Sequence, residues 1–470
     1  MRPLLYPLAL MLALFALAPS AASAQPGSAR VQPPADPSAA PAEAPLDEPT
    51  VARREVPNYD GRSHGPTAAD RLLWVPRILV SPLYFITEFV LRRPLGYLVT
   101  NAEENNIPDK VVQFFTIGPD GNVAVAPTVS FDFGFRPSVG LYLRWNDIVA
   151  PGHSLRAGYS FGGVDWHSGA VAYRIAPENG DYELQLGFSA TKRPDGLFFG
   201  LGSNISEDLR SRFSFFTYNL NLSARINMWR QGFVSAETGL RHSDFGSDTV
   251  GGVQTTQSLI DQGVVETPSR FEEGYTVAYQ RADLVIDTRR SRPYPGSGFR
   301  VHGQYELGVD VENGVSEGLW VTWSLAAHAY FDLTGTQKVL GVHFSMASAE
   351  SFAGEVPFTE LPAFSGNGPM PGFVGAFLSG DSVTALRLDY TWPVWGFLDG
   401  KVHVAMGNAY DGRFEGFSFE NQRLSVGIGI AAVSQRDHFF EFLVGFGTDE
   451  FNAGANVESV RVVFGGTREF

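Results

Sequence analysis

One pattern constrains this chain more than any other: apolar and polar side chains alternate residue by residue, again and again, from about residue 112 to Phe470. Between 299 and 312 the odd positions are Phe299, Val301, Gly303, Tyr305, Leu307, Val309 and Val311. The even ones are Arg300, His302, Gln304, Glu306, Gly308, Asp310 and Glu312. Between 318 and 333, Leu319, Val321, Trp323, Leu325, Ala327, Ala329, Phe331 and Leu333 are interleaved with Thr322, Ser324, His328 and Asp332. Successive side chains on a strand face opposite ways, so each segment has one oily and one wet face. Strands of soluble sandwiches are usually about 5–6 residues long. Here the alternation persists for about ten or more, enough for a tilted strand to cross a bilayer. The fold class this predicts is all-β: a transmembrane antiparallel β-barrel.

Composition agrees. An apolar content of 44% is too low for a helical membrane protein but suits a barrel in which every second residue meets lipid. Aromatic content of 13% and 51 glycines fit interfacial girdles and crowded strand interiors. Residues 1–24 read as a secretory signal: Arg2, an apolar run from Leu4 to Leu17, then Ala22-Ser23-Ala24 before Gln25. Beyond it no run of about 20 apolar residues remains to arrest export in the inner membrane. The chain has no cysteine, hence no lipid-attachment site and no disulfide. A net charge of −15 argues against a nucleic-acid partner.

The segment 25–69, rich in Pro, Ala and charge (Pro33-Pro34-Ala35-Asp36-Pro37), reads as a disordered linker. Residues 70–110 read as an amphipathic periplasmic helical segment. Asp70, Arg77, Ser81, Glu88 and Arg92 recur at helical spacing and mark its polar face. It either rests on the inner rim or membrane surface, kinked at Pro82, or enters the lumen as a plug. The remainder, 111–470, is the barrel domain.

Sixteen strands are predicted: 121–134, 136–146, 152–162, 166–176, 181–191, 213–228, 231–245, 273–288, 298–312, 318–333, 338–351, 382–394, 400–408, 422–434, 438–447 and 457–466. The connections check this count. The long ones, near 192–212, 246–272, 352–381 and 409–421, all follow odd-numbered strands, and those after even-numbered strands are short. In an antiparallel barrel that parity puts every long loop on one side, as in outer-membrane barrels.

Several stretches together resemble the BamA/TamA-like bacterial surface antigen superfamily. FFGLGSNISEDLRSRF (198–213) is similar to its aromatic-Gly-x-Gly-Asn stretch, and DTRRSRPYPGSG (287–298) to its Asp-x-Arg…Pro…Gly hairpin. LPAFSGNGPMPGF (361–373) resembles the sixth outer loop with its Val-Arg-Gly-Phe motif, and RLDYTWPVW, HVAMGNAY and SVGIGI follow in family order. Two departures stand out. The loop motif reads Met370-Pro371-Gly372-Phe373, so Pro371 replaces the arginine. In the family that arginine enters the lumen and pairs with acidic residues, one of which aligns with Ala405 here. Both ends of the ion pair are absent together, which avoids a stranded charge. The loop must then be held otherwise, by Phe373 packing and by the stiffness of Pro369 and Pro371. The second departure is periplasmic: the stretch before the first strand has no comfortable room for the POTRA domains that collect clients in assembly and secretion members.

The last strand alternates Val460, Val462 and Phe464 with Ser459, Arg461 and Val463, and the chain ends on Phe470. By resemblance, Val460, Val462, Phe464 and Phe470 form the C-terminal signal read by the barrel-assembly machinery during the protein's own insertion. Other chemistry is thin. Gly158–Gly162 spells G-x-S-x-G, yet Ser160 alternates within a strand, whereas a nucleophile elbow needs a strand-to-helix turn. GNGPMPG (366–372) lacks the Lys-Ser/Thr ending of a phosphate loop, and the nine histidines show no metal-ligand spacing. No cofactor, metal or catalytic residue is expected. Lumen-facing Arg156, Arg225, Arg300, Glu306 and Arg387 either pair across strands and stiffen the barrel or line a transport path.

The resemblance implies a protein of the outer membrane of a Gram-negative bacterium, in contact with lipid, that helps insert or move protein or lipid there. Segment 25–110 is the place to expect a periplasmic partner. A weak seam between first and last strands is the route the family suggests, testable by a cross-link at positions 125 and 460. A passive pore or a structural, surface-binding barrel is the alternative, with an outer-membrane lipid hydrolase behind it.

Overall fold

The structure is a computed structural model that describes residues 115–118, 121–132, 134–177, 180–247, 252, 254–289, 296–312, 314–335, 337–395, 398–432 and 439–467. The signal, linker and helical segment expected over 1–110, and Phe470, lie outside the described residues.

A two-residue strand, β1 (Thr116–Ile117), precedes sixteen long ones. These are β2 (Val123–Asp132), β3 (Ser138–Asn146), β4 (His153–Gly163), β5 (Trp166–Ile175), β6 (Tyr182–Phe198), β7 (Ser211–Asn227), β8 (Phe233–Gly246) and β9 (Tyr275–Asp287). Then follow β10 (Gly298–Asp310), β11 (Gly318–Asp332), β12 (Val339–Gly354), β13 (Ser382–Trp395), β14 (Leu398–Tyr410), β15 (Arg423–Ala432), β16 (Phe439–Thr448) and β17 (Val457–Thr467). Each strand from β2 pairs antiparallel with the next, and β17 pairs back onto β2, closing the cylinder. Closure pairs most of the strand backbone within the sheet, the β2–β17 join being a short one of three residue pairs.

The expected two-faced strands are present. Val139, Leu141, Leu186, Phe188, Leu222, Phe299, Tyr305 and Phe331 stand exposed on the outside. Their neighbours in sequence turn inward, where Tyr275, Tyr279, Glu306, Trp320, His403 and Arg461 are buried. An apolar surface that runs around the whole wall is far larger than a water-soluble monomer exposes, and it suits lipid contact. Among the described residues no helix is long and apolar enough to cross a membrane.

All sixteen expected strands occur. β6 differs most in extent, continuing to Phe198 where the sequence reading stopped at 191. Pro194-Asp195-Gly196 reads as a turn, but it forms a bulge between Arg193 and Gly196. Asp195 pins it, accepting the Arg136 backbone N–H at 2.7 Å and the Arg193 Nε–H at 2.8 Å. The long connections 199–210, 247–274, 355–381 and 411–422 all leave the same end of the barrel.

Candidate functional site

The connection 355–381 between β12 and β13 folds back into the barrel. Met370, Phe373, Phe377 and Leu378 are fully buried there, in one apolar cluster with Leu197 of β6, Val383 and Ala385 of β13, and Ala405 and Ala409 of β14. Phe373 stacks on Phe377 at 5.0 Å between ring centres, and Phe377 meets Phe199 at 4.8 Å. Ala405 thus belongs to the loop's apolar cluster, with Arg387 of β13 and Ser425 of β15 directly opposite it.

Gly372 lies on the wall itself. Its N–H donates to Ser425 Oγ of β15 at 2.8 Å. A Cβ at Gly372 would stand 2.3 Å from the Phe446 carbonyl oxygen, and one at Gly445 of β16 would stand 2.9 Å from the Gly372 Cα. One at Gly447 would come within 2.5 Å of the Phe373 ring. Gly372 and Gly445 thus let loop backbone rest on strand backbone, and Gly447 makes room for the Phe373 ring.

The last contact is with β17. Arg461 is 2% exposed and spends its guanidinium in two directions. Toward the loop, Nη1 donates to the Gly366 carbonyl at 2.5 Å and to the Pro371 carbonyl at 3.5 Å, and Nη2 donates to Asn367 Oδ1 at 3.0 Å. Toward β2, Nε and Nη2 donate to the two carboxylate oxygens of Asp132 at 3.0 and 2.6 Å. The loop lacks an arginine, and the wall supplies one. Sequence reasoning noted Arg461 only as a polar residue between Val460 and Val462. The available signal was an inward-facing arginine on the closing strand of a chain whose loop had lost its own.

Asp132 and Arg461 lie at the seam. β17 and β2 share three residue pairs: Val463 with Asp132, Phe464 with Phe131, and Gly465 with Ser130. Neighbouring strands share many more, β16 and β17 running in register from Phe439/Thr467 to Thr448/Val457. β3 occupies the other edge of β2 from Val123 to Ser130. The β1 pairing of Thr116 and Ile117 with Ala124 and Val123 must therefore lie on the seam edge, below β17. Between these contacts Val125–Val129 have no strand partner on that edge among the described residues, and Pro127 has no N–H to offer. Positions 125 and 460 do not face each other. Val125 pairs with Leu143 and Val460 with Phe446, and the register places Ser130 opposite Gly465.

At its other end the loop meets a charged network. Glu360 accepts Tyr275 Oη–H at 2.5 Å and Arg241 Nη1–H at 2.9 Å. Arg241 also reaches Glu306 at 2.9 Å, and Arg281 Nε donates to Glu306 at 2.7 Å. Of the lumen charges read from sequence, Glu306 is thus doubly paired, Arg387 pairs with Asp389 at 2.6 Å, and Arg225 covers the Phe233 ring at 3.8 Å. Arg300 and Arg387, with His302, His328 and His343, line a cavity of about 500 Å³ roofed by Asn367 and Pro369 of the loop.

One other family-like stretch, 198–213, meets the same loop. Gly202 N–H donates to the Ser379 carbonyl at 2.9 Å, and Ser203 N–H to Asp411 at 3.2 Å, which ties 198–213 over the loop's end. In the 287–298 hairpin Arg289 pairs with Asp287 at 2.7 Å. Val460 and Phe464 are exposed on the outer face, opposite Phe446 and Phe442, with Val462 half-buried. Ser160 lies within β4 opposite Gly140, away from any strand-to-helix turn.

No family model and no curated protein sequence matches this chain. Solved structures do. BamA from Haemophilus ducreyi lacking POTRA domains 1–3 superposes with a TM-score of 0.52 and 12% identity, over 74% of this chain and 70% of that one. CdiB from Acinetobacter baumannii and CdiB from Escherichia coli give TM-scores of 0.48 and 0.49 at 13% identity. Each comparison covers 74% of this chain, but only 60% and 64% of the two CdiB chains. At such identities the likeness is one of fold. The chain forms a BamA-like barrel of sixteen strands.

Proposed function

We propose that this protein works in the outer membrane of a Gram-negative bacterium, where it inserts or translocates protein or lipid by parting the wall between β2 and β17. The observation that carries this reading is the three-pair seam beside a stretch of β2 that has no partner on that edge among the described residues. A strand edge with unused N–H and C=O groups inside a membrane is costly, and an incoming extended segment or a local lipid defect relieves that cost. A seated loop in the lumen argues against the passive-pore alternative, since Phe373, Phe377 and Arg461 occupy space that a steady aqueous path would need. In this reading the exposed Val460 and Phe464, with Phe470, serve the protein's own assembly, and 25–110 receives a periplasmic partner.

The natural chain has no cysteine, so Ser130→Cys with Gly465→Cys gives a single disulfide across the seam. Residues directly opposite on antiparallel strands have the Cα spacing that a disulfide accepts. In proteoliposomes the oxidised variant is expected to lose its acceleration of folding of an unfolded outer-membrane barrel, or of lipid movement between leaflets, and to recover it on reduction. Equal activity in both redox states contradicts the proposal.

A further inference from the structure

We propose that Arg461 is a positioning residue that couples the seating of the lumen loop to the closure of the β2–β17 seam. An arginine that only neutralised Asp132 would need one face of its fork. This one divides its donors between a carboxylate on the first long strand and three acceptors on the loop: the Gly366 and Pro371 carbonyls and Asn367 Oδ1. Guanidinium geometry is fixed and planar, so its position best satisfies both sets only when loop and strand are both in place. Arg461 is almost wholly buried, which makes either set costly to lose.

The wall around it is where such coupling has effect. Arg461 lies diagonally across from Asp132, two residues along β17 from Val463, the last seam pair toward the outside. Beyond that pair, among the described residues, the Arg461–Asp132 side-chain contact holds β17 to β2. On the other side of the fork, Gly366–Pro371 leads directly into Gly372 and Phe373, which dock on β15 and β16. A loop that lifts withdraws the acceptors of Arg461, and a seam that parts withdraws Asp132. By linkage each event must favour the other to the same degree.

The test uses the full-length chain refolded in detergent, without client. Loop seating is read as resistance of 355–381 to proteinase K, and seam closure as the rate of disulfide formation in the Ser130→Cys/Gly465→Cys background. Heat-modifiable gel migration confirms a folded barrel in every variant. Asp132→Asn alters only the strand side and is expected to speed loop cleavage at least fivefold. Asn367→Ala alters only the loop side and is expected to change the seam disulfide rate by a comparable factor. Arg461→Lys keeps the charge without the fork and should follow Arg461→Ala in both assays. Should Arg461→Ala fail to fold, the two single-sided variants still decide the matter. An Asp132→Asn loop as resistant as wild type, an Asn367→Ala seam with the wild-type rate, or full rescue by lysine would each overturn the proposal. That the coupling gates passage of a client rests on the proposed function; the coupling is measured with no client present. Coupling found in a barrel whose locked seam stays active would sink the function alone. Its absence from a barrel that the lock silences would sink the coupling alone.

Discussion

Gly372 of the loop and Gly445 of β16 meet backbone to backbone, the Gly372 Cα lying 2.9 Å from where a Gly445 Cβ would stand. Neither partner is the flexible end of a side chain, so Gly445→Ala must lift the loop. We expect a loss of about 2 kcal/mol, typical of forced overpacking, with faster proteolysis of 355–381. Gly303→Ala is the control. Its Cβ would meet nothing within 4 Å, and the change should stay within about 0.5 kcal/mol. Denaturant midpoints in one detergent check both.

Ala405 is packed in the apolar cluster of the loop, and the arginine directly opposite it, Arg387, is already paired with Asp389. Ala405→Asp alone is expected to cost several kcal/mol, or about 3 kcal/mol after relaxation, because the charge enters an apolar cluster. Phe373→Ala empties the same cluster and should cost about 3–5 kcal/mol. Wild-type unfolding midpoints in either variant would contradict this packing.

Glu306 takes hydrogen bonds from two guanidiniums, those of Arg241 and Arg281. Glu306→Gln leaves both cations without their shared carboxylate in a confined lumen. A loss of about 3 kcal/mol is expected, and an Arg281→Gln/Glu306→Gln pair should lose less than the two single changes added together.

Burial pushes the Glu360 carboxyl above its ordinary value, against the opposing pull of Arg241. A carboxyl raised in the folded state contributes stability that is fully present below its unfolded value and is lost as the pH climbs through the folded one. Loop seating in the wild type should therefore weaken as the pH rises above the usual carboxylate range. Glu360→Gln should flatten that dependence. Proteinase K sensitivity of 355–381, measured with short digestions along a pH series and normalised to an unfolded control, tests the sign; a loop that tightens with rising pH in the wild type would contradict it.

The barrel was legible in the sequence because an oily outer face and a wet inner face impose a period of two on every strand, and loop parity gathers the long connections at one end. The end of β6 was not, because Pro194-Asp195-Gly196 has turn chemistry and only Asp195's contact with Arg136, 59 residues away, makes it a bulge. β1 is two residues long and carries no period. The loop was legible as a landmark through Gly372 and Phe373, and its apolar seat through the loss of charge at Pro371 and Ala405. Its anchor was not. Arg461 acts across 94 and 329 residues of chain, on Asn367 and Asp132, and only the register of the closing strands brings them together. The same absence of register explains why positions 125 and 460 looked like partners across the seam.

Amide hydrogen exchange of the full-length barrel in lipid nanodiscs tests the central claim, that the wall is weakest between β2 and β17, most directly. The account expects the seam-facing amides of 125–129, those not directed at β3, to exchange faster than those of any other strand interior, and faster still in Asp132→Asn. Protection of those amides equal to that of β11 and β12 would contradict it.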